Sequence, residues 1–270
     1  MRQHCSVCHS ALLELQEQYT YRKCSSCGTF FVDQTPNRQQ IIKGLNRWAD
    51  KITDERDDAQ FPTKITYQRV NTLIRLNRIG KNLLDVGCGK ADFLLAARNA
   101  EFHVSGMDIA EPIIRQLVRH KIPAYTSLKE IQNGMFDVVT CFDVIEHTTD
   151  PKRLTEEMHR VTKKDGILFL STPNAASISA KLLGKSWWVF GPDGHYILFT
   201  PIGLRILLEK IGYSVISLET NTITQWIHTK ISVVNKIGNK IIYCLLFPFL
   251  PFLYRSGLGD NIEVLARKVP

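Results

Sequence analysis

Nowhere in its 270 residues does the chain carry a run of about twenty uninterrupted apolar side chains, the length a bilayer-spanning helix needs. The longest candidate, Ile241 to Tyr254, stops at fourteen residues and contains Pro248 and Pro251. No apolar segment follows Met1-Arg2-Gln3-His4-Cys5 either, which argues against a secretory leader and for a reducing, cytoplasmic setting. Internal repeats and low-complexity tracts are also lacking, so neither a solenoid nor a compositional tail is expected. What is present is ordinary for a globular chain: 44% hydrophobic and 22% charged residues, enough for one large α/β domain with a small appendage. The net charge of +8 suits nucleic acid, an anionic membrane face or an acidic substrate, and composition does not choose among them.

Four of the seven cysteines form two close pairs, Cys5-x-x-Cys8 and Cys24-x-x-Cys27, fifteen residues apart. That spacing reads as a four-thiolate zinc site and not as a disulfide scaffold. Redox chemistry at a single CxxC would want a βαβ context, which is missing around these pairs. Gly28 frees the second knuckle to turn, and Leu12 to Arg22 offers a short hairpin. A module of about thirty-five residues has too little core to fold alone, so the metal would supply its folding energy. Four protein thiolates leave no open coordination position, which makes the site structural, with His4 and His9 as bystanders or, either of them, a substitute ligand.

Residues 36–80 read as a helical linker or lid. Ile41, Ile42, Leu45 and Trp48 follow helical spacing, and a second helix is expected to bury Tyr67, Val70, Leu73 and Ile74. The acidic cluster at 54–58 is expected to be a solvated bend.

Residues 81–95, KNLLDVGCGKADFLL, combine an apolar strand, a glycine turn and an amphipathic helix. Gly87 and Gly89 permit a sharp turn and close approach of backbone to a ligand. A dinucleotide fingerprint wants a third glycine at position 92, where this chain has Asp92. A carboxylate there disfavours a pyrophosphate and tolerates a cationic or zwitterionic ligand. Asp85 adds negative charge at the strand end. His103 to Asp108 forms a second strand, and Asp108 lies nineteen residues beyond Gly89, near the offset for an acid that grips ribose hydroxyls. Together these features favour an adenosyl ligand without phosphates over other Rossmann-like ligands.

Over residues 80–268 the chain resembles the class I S-adenosylmethionine methyltransferases. The motifs that carry the resemblance are LLDVGCGKADFL, VSGMDIA, FDVVTCFDVIEHTTDP, GILFLSTPN and GHYILFTPIGLRILLEKIGY. The last three are similar to the subgroup of ubiquinone-pathway O-methyltransferases and polysaccharide- and antibiotic-pathway enzymes, and cysteine pairs like these precede some sugar C-methyltransferases. The resemblance implies an α/β fold, a Rossmann-like seven-stranded sheet with helices on both faces, behind a zinc-ribbon-like module at 1–35. The methyltransferase domain would occupy 81–270, with an apolar insertion at about 221–258. It further implies that Asp85, Gly87 and Gly89 hold the methionyl end of S-adenosylmethionine and that Asp108 holds its ribose. The acid expected near the end of the third strand is absent, with Thr126-Ser127-Leu128 in its place.

Strands are expected at Phe136–Cys141 and Ile167–Leu170, with a closing antiparallel pair at 213–218 and 262–266. Ligands collect at the carboxyl ends of such strands, which brings Phe142 and Asp143 to the reaction centre. Asp143, Glu146 and His147 are spaced i, i+3, i+4 and would share a face if helical. They either hold a divalent cation, as the resembled quinone-pathway Glu-x-x-Glu-His motif implies, or cap the local loop. His195, on the turn-rich Gly191-Pro192-Asp193-Gly194-His195-Tyr196 loop, is a candidate general base or a hydrogen-bonding anchor. The stretch 241–254, flanked by lysines and Arg255, is either an interfacial membrane anchor or an insertion packed over the acceptor pocket.

The expected function is methyl transfer to an oxygen or carbon of a small molecule: a sugar, a quinone-like compound or another secondary metabolite, with lipid-linked acceptors included. One rival is an RNA methyltransferase. Against it, residues 1–60 balance about eight basic with eight acidic side chains, and no Asn/Asp-Pro-Pro-Tyr motif follows the fourth strand. A second rival is a non-catalytic cofactor-binding protein.

Overall fold

In the computed structural model, residues 4–10, 13–16, 21–34, 36–53, 63–76, 79–190, 194–221 and 256–269 are described. The acidic bend at 54–58 and the apolar stretch at 241–254 lie outside the described residues.

The chain opens with a hairpin of β1 (Leu13–Gln16) and β2 (Tyr21–Cys24), continued by β3 (Phe30–Val32) in antiparallel order. Helices α1 (Arg38–Ile52) and α2 (Lys64–Arg75) follow. Asn37 caps α1 in a reciprocal pair with Gln40, and the Thr63 hydroxyl accepts the Thr66 amide to start α2. On α2 the buried stripe is Thr66, Val70 and Leu73, while Tyr67 and Ile74 remain 52% and 51% exposed. The expectation that Tyr67, Val70, Leu73 and Ile74 are all buried is therefore corrected. Tyr67 and Ile74 each sit one residue past the stripe, about 100° around the helix.

The main sheet contains β4 (Asn82–Val86), β5 (His103–Met107), β6 (Ala124–Tyr125), β7 (Phe136–Phe142), β8 (Thr162–Pro173), β10 (Tyr213–Asn221) and β11 (Asn261–Lys268). Their spatial order is β10-β11-β8-β7-β4-β5-β6, parallel except that β11 runs antiparallel to both of its neighbours. The expected closing antiparallel pair is thus present. Among the described residues, helices α3 (Asp92–Asn99), α4 (Glu111–Arg119), α5 (Pro151–Val161), α6 (Ile178–Leu183) and α7 (Pro201–Ile211) flank this sheet. Near-continuous apolar runs such as Leu83–Leu84 and Val138–Val139 suit strands buried on both faces. After β4 the chain moves outward to β5 and β6, then returns to β7 on the other side. That reversal leaves a crevice at the carboxyl ends of β4 and β7.

A short strand, β9 (Ile197–Leu198), leaves the main sheet and pairs with β3, with Phe31 opposite Ile197 and Phe30 opposite Leu198. The cysteine module is therefore continuous with the rest of the molecule. Cys5, Val7, Cys24, Cys27 and Phe31 share one apolar cluster with Leu204 and Leu207 of α7. Among the described residues, no helix is long and apolar enough to cross a membrane.

Candidate active site

A cavity of about 1740 Å³ opens over the crevice, and the glycine turn forms its floor. Gly87 has φ +72° and donates its amide to the Met107 carbonyl at 2.7 Å. A Cβ on Gly87 would fall 2.4 Å from Val144 Cγ2, so both its backbone conformation and its surroundings demand glycine. Gly89, at φ +49°, points its amide at Asp108 Oδ2 over 3.4 Å. Asp108 Oδ1 accepts the Ala110 amide at 2.9 Å. Burial raises the Asp108 carboxyl above its ordinary range, while these backbone donors pull it back. Helices α1 and α2 wall the same cavity through Ile41, Leu45, Trp48, Thr66 and Arg69.

Asp85 ends β4 almost fully buried and accepts the Thr140 hydroxyl at 2.7 Å. Burial pushes its carboxyl up from 3.8 to about 7, against the lowering effects of Thr140 and Arg69. Below about pH 4 the group is protonated in both the folded and the unfolded chain and costs nothing. As pH rises from about 4 through 7, the unfolded chain sheds this proton while the folded chain retains it, so stability is lost across that window. Asp85→Asn is expected to remove this contribution, ~4 kcal/mol at most for a shift of this size. Urea unfolding at pH 5 and pH 8 checks it: the pH slope of the variant should be shallower than that of the parent, and parallel slopes would refute the assignment.

The opposite end of the cavity is built from the segment after β7 and the segment before β9. Asp143 has φ +55°, and the single 3-10 turn begins only at Ile145, so the shared helical face expected for Asp143, Glu146 and His147 does not form. Asp143 turns instead toward Ser171, whose hydroxyl donates to it at 3.1 Å, and toward Arg69 at 3.8 Å. The ligand atoms that do converge belong to Glu146, His147 and His195, all within 4.8 Å of one another. His195 thus stands where the sequence suggested Asp143.

The two imidazoles lie with ring centroids 4.8 Å apart. His147 Nδ1 meets the Gly194 carbonyl at 2.6 Å, and His195 Nδ1 meets the Val189 carbonyl at 3.0 Å. A carbonyl only accepts, so each Nδ1 carries the proton and each Nε2 keeps a lone pair. Burial lowers His147, and burial together with the neighbouring His147 lowers His195 to about 4, so both rings are neutral at pH 7. Glu146 is buried, accepts the Thr172 hydroxyl at 2.9 Å, and is pushed upward by that burial and by Asp143. Phe142 lines the cavity between these two ends, edge-on to Phe93 and Phe169, with the Arg69 guanidinium 4.0 Å over its ring. Sequence reasoning missed Arg69 and Thr140, because nothing local marks either residue. Arg69 arrives through the packing of α2, and Thr140 through the register of β7 against β4.

The four module cysteines also converge within 4.8 Å, with Sγ pairs Cys5–Cys27 at 3.7 Å and Cys8–Cys24 at 3.5 Å. Tetrahedral zinc with bonds of about 2.3 Å holds its sulfurs about 3.8 Å apart, so the cluster fits that ion. The hydrogen bond from Cys5 holds the Cys27 thiol below its ordinary range, while that bond and burial push Cys5 up.

A family model described as a methyltransferase domain matches residues 34–218, which takes in the glycine turn, Asp108 and both histidines. The chain belongs to this methyltransferase family. A ubiquinone biosynthesis O-methyltransferase of Pseudomonas aeruginosa is 32% identical over 142 residues, 48% of this chain and 59% of that protein. The corresponding Xanthomonas oryzae protein is 29% identical over 140 residues, covering 48% and 57%. The methyltransferase chain thus spans less than three-fifths of the length of these curated relatives. A methyltransferase structure from Archaeoglobus fulgidus superposes with TM-score 0.54 at 20% identity, over 76% of this chain and 94% of that one. Magnesium protoporphyrin IX methyltransferase from Synechocystis superposes with TM-score 0.51 at 16% identity, over 87% and 90%. These likenesses show that the sheet and its helices form the Rossmann-like methyltransferase fold.

Proposed function

We propose that the chain transfers the methyl group of S-adenosylmethionine to an oxygen or carbon of a small-molecule acceptor. The observation that carries the reading is a cavity with two chemically distinct ends: a carboxylate-flanked glycine turn at one, and a half-buried pair of neutral imidazoles at the other. The bound cofactor supplies an electrophilic methyl group on a sulfonium. Asp85, which ionises near neutrality, would face its positive charge, and Asp108 would accept from the ribose hydroxyls. A neutral His195 or His147 offers an Nε2 lone pair able to take the acceptor's proton, worth typically about 10²–10⁴ in rate. Trp188 beside His195, with Trp187 also lining the cavity, gives the acceptor end an aromatic wall that suits a ring-bearing or apolar molecule. The likeness to ubiquinone biosynthesis O-methyltransferases favours oxygen as the target.

Glu146, His147 and His195 also form a two-histidine, one-carboxylate set whose Nδ1 protons are already held by backbone carbonyls, the outer arrangement typical of metal-bound histidines. A divalent cation there would orient an acceptor oxygen. Zinc on the four cysteines would be structural. The domain division proposed is a cysteine module at 1–35, a helical lid at 36–80 and the catalytic domain beyond.

The test is to incubate the purified chain with S-adenosylmethionine and a panel of hydroxylated aromatic and sugar acceptors, reading products by mass spectrometry. A gain of one methylene mass that falls at least about a hundredfold in His195→Ala, with cofactor affinity unchanged, supports the reading. Methylation only of added RNA would replace it. Elemental analysis of the same sample should find one zinc per chain.

A further inference from the structure

We infer that the cysteine module clamps the acceptor end of the cavity: β3 and the Tyr21 hydroxyl position the segment Gly194–Leu198 and, through it, His195 and His147. The inference rests on the reading that these histidines face the acceptor. Residues 194–196 belong to no helix or strand, so other elements must hold their backbone. One side is held by the module. The Tyr21 hydroxyl donates to the His195 carbonyl at 2.7 Å, Val32 donates its amide to the Tyr196 carbonyl at 2.9 Å, and β9 continues the pairing along β3. The other side is held by the turn after β7. Tyr196 donates its amide to the Glu146 carbonyl at 2.8 Å, and the Gly194 carbonyl accepts from His147 Nδ1 at 2.6 Å. The segment is therefore strung between the cysteine module and the catalytic turn, and the two imidazoles meet because both sides hold.

The module in turn depends on its thiolates. Cys24 closes β2, and its amide and carbonyl bond Thr29 and Gly28 across the knuckle that launches β3. Thr200, which caps α7, donates its hydroxyl to the Cys27 carbonyl at 2.6 Å. A three-stranded sheet this small has no sufficient core of its own, so its cross-link acts together with its packing on α7 to hold it. Among the described residues, β9 pairs with no strand other than β3. The state of the cysteine cluster thus reaches the acceptor end through main-chain hydrogen bonds, although none of its four cysteines lines the cavity. The competing account is that Ile197, Leu198 and Phe199, all fully buried, hold the segment by packing alone.

Hydrogen exchange read by mass spectrometry on the full-length chain separates the two. Tyr21→Phe keeps the ring and its edge contact with Phe190 and removes only the donor. Exchange over 194–199 should quicken about fivefold, as expected for one lost hydrogen bond. The turnover number should fall by a similar factor while the KM for S-adenosylmethionine stays unchanged. Unaltered exchange over 194–199 would overturn the inference. In the double variant Cys24→Ser/Cys27→Ser, protection over 194–199 should be lost while 82–86 and 103–107 stay protected; retained protection at 194–199 would also overturn it. Should that variant fail to fold, Tyr21→Phe decides alone. A parent protein that does not bind S-adenosylmethionine would sink the proposed function, whereas the exchange result would stand by itself.

Discussion

Asp108→Ala is expected to weaken S-adenosylmethionine binding at least about a hundredfold, to the point where calorimetry shows no saturable heat. A carboxylate that accepts from two ribose hydroxyls makes charge-assisted hydrogen bonds worth about 1.5–3 kcal/mol each, and their joint loss exceeds two decades of affinity. The fold should survive. Asp108 contributes to it chiefly through the Ala110 and Gly89 amides, the second of which is already long at 3.4 Å. Asp108→Asn retains an acceptor oxygen and should fall between parent and alanine. Affinity unchanged in Asp108→Ala would mean that the cofactor lies elsewhere, and the glycine turn would lose its assigned role with it.

The largest effect on stability is expected from Gly87→Ala. Alanine at φ +72° bears a backbone cost of about 1–2 kcal/mol, and its methyl would overlap Val144, adding about 1–3 kcal/mol for an overfilled site. A loss of about 2–5 kcal/mol by chemical denaturation follows, together with loss of cofactor binding, because Gly87 leads directly into the turn. The two costs can be told apart. Combining Gly87→Ala with Val144→Ala relieves the overlap and leaves the backbone term, so the double variant should be more stable than the sum of the singles by about 1–3 kcal/mol. Strict additivity would mean that Val144 moves aside freely and that the backbone alone selects glycine there.

The parts of the site written within one stretch of chain were legible beforehand. The strand, glycine turn and helix at 81–99 and the acid ending the next strand announce themselves through apolar runs, glycine spacing and a fixed offset. The cysteine pairs do so through their spacing. Each is a local pattern, because the chemistry it serves needs neighbours a few residues apart. The reading of Asp143, Glu146 and His147 as one face failed for a local reason as well: a left-handed residue at 143 interrupts the helix that the spacing assumed. Tyr67 and Ile74 of α2 were misplaced because a helical stripe about 100° wide admits only some of the apolar residues near it.

The amino-acid order alone determined that this chain builds a parallel α/β sheet, bends sharply after the first strand of that sheet, and gathers four thiolates near its beginning. Side-chain alternation, backbone freedom at glycine and ligand spacing act over a few residues and can be read directly. Only the tertiary structure decided that His195 meets His147 from a distant part of the chain, that Arg69 lies over Phe142, and that a two-residue strand remote in sequence docks on the cysteine module. Those meetings depend on how helices and strands pack against one another, a sum of many weak contacts that no short segment encodes.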